Sequence, residues 1–336
     1  MTDAAAKKNP GAPVIVSGTR PTGALHLGHL NGALKNWAQL QATSRCFFFV
    51  ADWHALTTDY ADPSGIRENT HAMILDWLAV GLDPTRAVIF RQSEVPEHAE
   101  LHLLFSMIIP VPWLERVPSY KEQQEQLEGR DLSTYGFLGY PLLQAADILV
   151  YKAAGVPVGE DQLPHVELTR EVARRFNRLY GEVFPEPKGL IVEAARVPGT
   201  DGRKMSKSYG NAVALSDDAD VVYRKLVRMI TDPRRQRRTD AGDPKDCPAF
   251  RLHEIYCTSE ERSELAEGCR TASIGCVDCK KVMIGRVQHE LAPIQQRRRE
   301  LEGRRGVVED VLADGRCRAA AVAEATMGEV RAGMGL

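Results

Sequence analysis

Short apolar runs alternate with longer amphipathic stretches along the first two thirds of this chain. Val14-Ile15-Val16 leads into a loop, Ser17 to Gly23, punctuated by Gly, Pro and Thr, and this predicts a buried strand ahead of a turn. From His29 to about Gln41 the apolar positions are Leu30, Ala33, Leu34, Trp37 and Leu40, which is helical spacing. Phe47 to Ala51 is a second strand. Asp62-Pro63 predicts a helix start, with Asp as N-cap and Pro in the first turn. Ile66, Thr70, Met73, Ile74, Trp77 and Leu78 carry that helical stripe to Gly81. Ala87 to Phe90 is a third strand, ahead of a helix near Glu97 to Met107. Phe137 to Tyr151 reads as an apolar helix ended by Gly155 to Gly159. Leu163 to Leu179 is amphipathic, and Gly189 to Glu193 is the last strand. From about Ala219 only helical patterns follow, and Val307 to Leu336 predicts a closing helix pair that packs back on the first part. Short apolar strands alternating with helices imply a parallel sheet covered on both faces. The expected architecture is α/β: a doubly wound parallel-sheet domain over 14–215, a smaller all-helical domain over 216–306, and C-terminal helices over 307–336.

Composition narrows the class without naming a function. The chain has 336 residues, 43% hydrophobic and 26% charged, enough for two domains with a sizeable core. No apolar run reaches the ~18 residues of a membrane span. Met1 to Pro13 lacks the apolar centre of a signal peptide and is expected to be a loose tail on a cytoplasmic protein. The net charge of −2 does not advertise nucleic acid, but the distribution does more. Arg234, Arg235, Arg237 and Arg238 form one cluster; Arg297, Arg298 and Arg299 form another, with Arg304 and Arg305 close by. Either cluster alone reads as well as a solvated helix face as it does as a contact to nucleic acid.

Two short motifs carry chemistry. His26-Leu27-Gly28-His29 follows the first strand and its loop, where ligands of open α/β sheets bind next to helix N-termini. Gly28 leaves the backbone open to a flat ring. His26 and His29 can donate hydrogen bonds to phosphate oxygens as charge shifts at phosphorus. About 180 residues later comes Lys204-Met205-Ser206-Lys207-Ser208, in a stretch that Gly199 and Gly202 keep mobile. Mobile lysines can close over a triphosphate and stabilise departing pyrophosphate. Neither Gly-x-x-x-x-Gly-Lys-Ser/Thr nor Gly-x-Gly-x-x-Gly occurs.

In this order, the two motifs resemble the signatures of class I aminoacyl-tRNA synthetases. Ser17-Gly18-Thr19-Arg20-Pro21-Thr22-Gly23, Tyr140-Pro141-Leu142-Leu143-Gln144-Ala145-Ala146-Asp147-Ile148-Leu149, Val158-Gly159-Glu160-Asp161-Gln162 and His165-Val166-Glu167-Leu168-Thr169-Arg170 look like the tryptophanyl-tRNA synthetase family. The resemblance runs from Val14 over nearly the whole chain. It implies a Rossmann-like catalytic domain, ATP with Mg²⁺, L-tryptophan and tRNA(Trp) as partners, and a homodimer with no membrane contact. It assigns catalysis to His26, His29, Lys204 and Lys207. ATP would contact Arg20, Pro21, Thr22, Gly28, His29, Gly159, Glu160, Asp161 and the backbone at Val197, together with Lys204, Met205, Ser206, Lys207 and Ser208. Asp147 would accept the indole N–H, Tyr140 and Gln162 would touch the ammonium end, and Gln144 and His54 would line the pocket. An acceptor-only carboxylate among apolar neighbours can reject rings without an N–H by ~10⁴-fold or more. Two positions depart from many bacterial members, which have Gln at Arg20 and Met at Gln144. The rival assignments are a tyrosyl-tRNA synthetase and a non-catalytic RNA-binding or regulatory paralogue with a redox-sensing cluster.

Of seven cysteines, Cys247, Cys269, Cys276 and Cys279 form the pattern C-x21-C-x6-C-x2-C. Four thiols in a short span of a cytosolic chain point to zinc or an iron–sulfur cluster. One tight pair with two outlying ligands suits either, so spacing leaves both open. A subset of the resembling family carries a 4Fe–4S cluster on this pattern, including Thr271 to Lys281, with a first spacer one residue longer. That resemblance implies a 4Fe–4S cluster, with Zn²⁺ as the alternative.

Overall fold

A computed structural model describes residues 11–117, 133–191 and 197–336. Five strands form one parallel sheet: β1 (Val14–Thr19), β2 (Arg45–Val50), β3 (Ala87–Arg91), β4 (Gly155–Val158) and β5 (Lys188–Ile191), in the order β3-β2-β1-β4-β5. The chain winds outward from β1 to β3, then crosses back and winds outward through β4 and β5. The direction reverses between β1 and β4, which makes that seam the switch point of a doubly wound sheet.

Helices cover both faces. They are α1 (Leu27–His29), α2 (Lys35–Leu40), α3 (Asp52–Asp59), α4 (Ile66–Val80), α5 (Glu97–Ser106), α6 (Val111–Glu115), α7 (Tyr135–Leu149) and α8 (Leu163–Tyr180). The helical region follows with α9 (Ala219–Val227), α10 (Pro248–Tyr256), α11 (Ser259–Arg270), α12 (Cys276–Glu302) and α13 (Val307–Met334). Successive strand residues point to opposite faces, so Phe48 enters one core and Phe47 and Phe49 the other. On the first face Phe48 and Trp37 share a core with Val222, Leu226, Ile284 and Leu291, so the helical region is welded to the sheet. On the second, Phe47 and Phe90 share a core with Ala319, Ala323 and Met327 of α13.

Several expected boundaries shift. The helix expected from Asp62 starts at Ile66, because Asp62 instead closes a turn by accepting from Ser64 N–H at 3.2 Å and Ser64 O–H at 2.6 Å. Gly155 to Gly159 does not merely end a helix; Gly155–Val158 is β4, buried throughout. The closing segment is one helix, not a pair. It does pack back on the sheet: a Cβ at Gly315 would lie 1.7 Å from the Ile89 carbonyl oxygen, so only glycine lets α13 approach β3. The last strand spans Lys188–Ile191; 192 and 193 lie outside the described residues, as do positions 1–10 of the expected tail.

Candidate active site

A cavity of about 380 Å³ opens at the seam between β1 and β4. Its walls come from the carboxyl ends of those strands, from α7, and from Gly32, Ala33 and Trp37 beyond the first motif. Of the residues expected to bind substrate, Arg20, His54, Tyr140, Gln144, Asp147, Gly159 and Gln162 line it together.

Asp147 is its most constrained group. The apolar helix α7 carries it inward, and it is 1% exposed. His54 Nε2 lies 2.7 Å from Oδ2; His98 Nδ1 and Gln92 Nε2 lie 2.6 Å and 2.7 Å from Oδ1. Burial works to raise the Asp147 pKa, but the hydrogen bonds of His54 and His98 outweigh it, and the pKa falls below the usual carboxylate range. The carboxylate therefore faces the cavity as an acceptor. Gln144, next to it on the wall, is half-buried, and the Tyr140 ring lies tilted against the His165 ring, 5.6 Å between centroids. Burial lowers His165 to about 4, with His54 adding to the effect.

The two motifs meet beside this cavity. Leu27 N–H donates to Val213 O and Leu215 N–H to Leu25 O, so the strand-like segment after the second motif pairs with the entry to the first. The helix starts at Leu27, earlier than expected, with His26 as its N-cap. Gly28 N–H donates to His26 Nδ1 at 3.1 Å, and His26 N–H donates to His29 Nδ1 at 3.2 Å. Both Nδ1 atoms thus act as acceptors, which leaves each Nε2 carrying a proton to donate. Burial, then Lys207, lowers His26 to about 4; burial, then His26 and after it Lys207 and Lys204, lower His29 to about 3. Both are neutral donors at pH 7. A Cβ at Gly28 would stand 2.8 Å from the His26 ring, so glycine here serves the fold of the turn as well as access for a ligand. The helix then widens into a π turn over Leu30–Leu34 before α2, a local irregularity that frequents functional sites.

The second motif is held through its backbone along its length. Met205 is buried, and its N–H donates to Val197 O at 3.1 Å. That bond occupies the Val197 carbonyl on the side facing the motif. Asn211, 2% exposed, accepts from Ser206 N–H at 2.8 Å and donates to Asp201 and to Lys204 O. Lys204 and Ser208 are exposed and Lys207 is half-buried. Burial lowers Lys207 to about 8, against an opposing pull from Asp76. Its side chain passes Gly23, where a Cβ would lie 3.4 Å from Lys207 Cδ. Pro21 is buried, while Thr22, Glu160 and Asp161 are exposed at the rim. Asp161 Oδ1 fills the space a Cβ would need at Gly159, 2.7 Å away.

Four groups that matter here escaped the sequence reading: His98, Gln92, Tyr151 and Asn211. Gln92 immediately follows β3, and polar residues just past a parallel strand are the positional signal that marks it.

In the helical region, Cys247, Cys269, Cys276 and Cys279 line one small cavity of about 20 Å³ with Arg235, His253 and Lys280. Among the described residues no group of three or more His, Cys, Asp or Glu side chains is arranged to hold a single metal ion. Arg235 donates to Cys269 Sγ at 3.9 Å, and His253 Nε2 lies 3.3 Å from Cys279 Sγ. Burial, then the neighbouring thiols, push Cys279 up to about 12.

The arginine clusters divide. Arg234 is held by Asp232 and Asp246, Arg297 donates to Ala79 O, and Arg298 pairs with buried Asp76 at 2.7 Å. These side chains are structural. Arg237, Arg238, Arg299, Arg304 and Arg305 stay exposed. A further open cavity of about 460 Å³ beside the second motif is lined by Arg224, Lys225 and Arg228.

Comparison with known proteins agrees with this geometry. Residues 8–292 match the family of class I tRNA synthetases for W and Y. The tryptophan–tRNA ligase of Thermotoga maritima is 56% identical over 324 residues, covering 96% of this chain and 99% of its own. That of Aquifex aeolicus is 45% identical, covering 96% and 99%. The crystal structure of tryptophanyl-tRNA synthetase from Campylobacter jejuni, complexed with ADP and tryptophan, superposes with a TM-score of 0.86 at 30% identity, covering 96% of this chain and all of its own.

Proposed function

The chain belongs to the class I tryptophanyl-tRNA synthetases, and on that premise we propose that the cavity between β1 and β4 is where its tryptophan is activated. The reaction is ATP-dependent ligation of tryptophan to tRNA. A tryptophan carboxylate oxygen attacks the α-phosphorus of ATP, the bond from that phosphorus to its bridging oxygen breaks, and pyrophosphate leaves. The terminal ribose of tRNA(Trp) then attacks the adenylate carbonyl and AMP departs. Mg²⁺ travels with the triphosphate as part of the substrate.

In this reading catalysis is positioning plus charge stabilisation, with no covalent protein intermediate. The neutral Nε2–H groups of His26 and His29 donate to phosphate oxygens. Lys204 and Lys207 meet the charge that builds on pyrophosphate. Arg20, Pro21, Thr22, Gly159, Glu160 and Asp161 border the nucleotide, with Met205, Ser206 and Ser208 shaping the loop. Tyr140 and Gln162 take the ammonium end of tryptophan, and Gln144 and His54 border the ring. What carries the reading is Asp147: a buried, ionised carboxylate opening on an otherwise partly apolar cavity rewards a ring N–H. Tryptophan-dependent exchange of pyrophosphate into ATP tests it. Exchange driven by tyrosine in place of tryptophan would overturn it.

For the cysteine cavity we propose a 4Fe–4S cluster held by Cys247, Cys269, Cys276 and Cys279. Convergence of four sulfurs on one cavity supports it. Such a cluster would cross-link α10, α11 and α12, since ligation moves no electrons. Protein purified without oxygen should be brown and contain iron and sulfide; colourless protein with stoichiometric zinc would reject the cluster.

The exposed Arg237, Arg238, Arg299, Arg304 and Arg305, with Arg224 and Arg228, supply phosphate contacts for tRNA in the helical region over 216–306. A homodimer completes the proposal, formed in the cytoplasm through the apolar side chains of Leu103 on α5, Met107 just after it, Val111 on α6 and Tyr135 on α7, of which Met107 is 68% exposed. Light scattering of the full chain checks it.

A further inference from the structure

Behind Asp147, on the side away from the cavity, stand His98 and Tyr151. His98 is 0% exposed, yet it makes two polar contacts: Nδ1 to Asp147 Oδ1 at 2.6 Å and Nε2 to the Tyr151 hydroxyl at 2.7 Å. Both rings sit among Phe47, Phe49 and Phe90, with centroids 4.5 to 5.9 Å apart. Neither His98 nor Tyr151 lines the cavity. A histidine and a phenol in a phenylalanine core gain less by packing than apolar residues of the same size, because each must keep every polar atom satisfied. Their placement therefore needs a reason beyond core stability.

The reason lies in how the carboxylate's acceptor sites are used. A carboxylate has about four lone-pair sites, two on each oxygen. His98 and Gln92 take both on Oδ1. His54 takes one on Oδ2. Among the described residues this leaves one acceptor site, on Oδ2. With Nε2 accepting the Tyr151 O–H, the His98 ring proton stands on Nδ1 and is donated to Asp147. The ring is held at both ends, so the carboxylate cannot rotate without breaking a buried bond.

We propose that His98, backed by Tyr151, is a positioning residue for amino-acid selection: it fixes the Asp147 carboxylate so that a single Oδ2 site faces the cavity as acceptor for a ring N–H. This rests on the reading of the cavity as the tryptophan site. Neither residue touches the substrate. The selection acts through Asp147, and its signature is a change in ring discrimination with the chemical step left alone.

The experiment uses Tyr151→Phe, which removes one oxygen from the core, with His98→Leu and His98→Asn in the full chain. Pyrophosphate exchange gives KM and kcat for tryptophan, KM for ATP, and the ratio of kcat/KM for tryptophan over the analogue with sulfur replacing the indole N–H. Losing one hydrogen bond that orders a charged acceptor should raise KM for tryptophan about tenfold in Tyr151→Phe. The tryptophan-to-analogue ratio should fall by a similar factor, with kcat and the KM for ATP within about twofold. His98→Leu should lose more, and His98→Asn, whose amide N–H stands near the place of Nδ1, should recover part of the ratio. Folded Tyr151→Phe and His98→Asn proteins that keep the parent's ratio and KM for tryptophan overturn the proposal. An unsubstituted protein with no preference for tryptophan over the sulfur analogue instead overturns the assignment of the cavity itself.

Discussion

The floor and the rim of the cavity are built on opposite plans. At the floor, Asp147 is 1% exposed and held by His54, His98 and Gln92, each within 2.7 Å. At the rim, Lys204 and Lys207 share a short segment held at its middle by buried Met205 and by Asn211, with both lysine chains left free of any ion pair among the described residues. On the proposed reading of the site, the difference follows from what each end would do. Distinguishing one ring from another needs an acceptor that is in place before the ligand arrives. Charge on pyrophosphate exists only once the reaction is under way, and the groups that meet it must also let it go.

Substitutions at the two ends should therefore fail differently. Asp147→Asn keeps the volume but replaces an acceptor with an amide. The kcat/KM for tryptophan should fall on the order of 10³-fold or more, with the KM for ATP changing little. Steady-state exchange assays with each substrate varied will show it. Lys207→Ala should cost about 10²–10³-fold in kcat, as loss of a charge-stabilising group does. Its KM for tryptophan should stay near that of the parent. If both substitutions raised the KM for tryptophan alike, floor and rim would be one unit and the contrast would fail.

A third substitution probes the frame under the rim. Arg298 on α12 donates to Asp76 on α4 at 2.7 Å, with Asp76 2% exposed. Asp76 also takes the Leu25 N–H, next to His26, and its charge is felt at Lys207. Arg298→Met leaves a buried carboxylate without its cation, which costs about 3–5 kcal/mol when a buried pair is broken. Chemical denaturation should show a loss near the lower end, because burial already raises the Asp76 pKa and eases its protonation. Unchanged stability would mean that the helical region is not anchored to the rim through this pair.

The same contrast governs what the sequence could reveal. The rim was legible because its chemistry sits in two contiguous motifs, and chain order alone brought His26, His29, Lys204 and Lys207 into view. Asp147 stood out as an acid among Ala145, Ala146, Ile148 and Leu149. Its partners did not. Gln92 and His98 come from a strand end and another helix, and nothing local marks them as neighbours of Asp147; Tyr151 lies in the turn just after α7, four residues past Asp147, but only the winding of the sheet brings His98 to both. Asn211 was hidden for the same reason at shorter range. The arginine clusters divide in a way their spacing does not show. Arg297 and Arg298 look like a solvated basic patch, yet one donates to the end of α4 and the other, half-buried, pairs with the buried Asp76 of that helix. The doubly wound parallel sheet followed from strand–helix alternation, whereas its order needed β4, which was missed because Gly155-Val156-Pro157-Val158 is short and carries turn residues. Its pairing with β1 and β5 makes it a strand.

The smallest effect gives the cleanest test of the rim, because its sign is fixed. Burial lowers Lys207 to about 8, with Asp76 resisting. The ammonium is therefore charged below that pH in the free protein and neutral above it. An anionic triphosphate is attracted only by the charged form, so kcat/KM for ATP should fall as pH rises, by about tenfold between pH 7 and 9 for a single such group. Once ATP is bound its phosphates favour the ammonium, so kcat should fall less over the same window. His26 and His29 cannot cause this fall, because they titrate at about 4 and about 3 and stay neutral throughout. Asp147, already ionised by pH 7, cannot either. Lys207→Arg carries a guanidinium that stays charged across the range, so it should flatten the profile even if it lowers the overall rate. A profile that keeps its fall in Lys207→Arg would show that the titrating group is elsewhere, and the rim would lose its claim to act through Lys207.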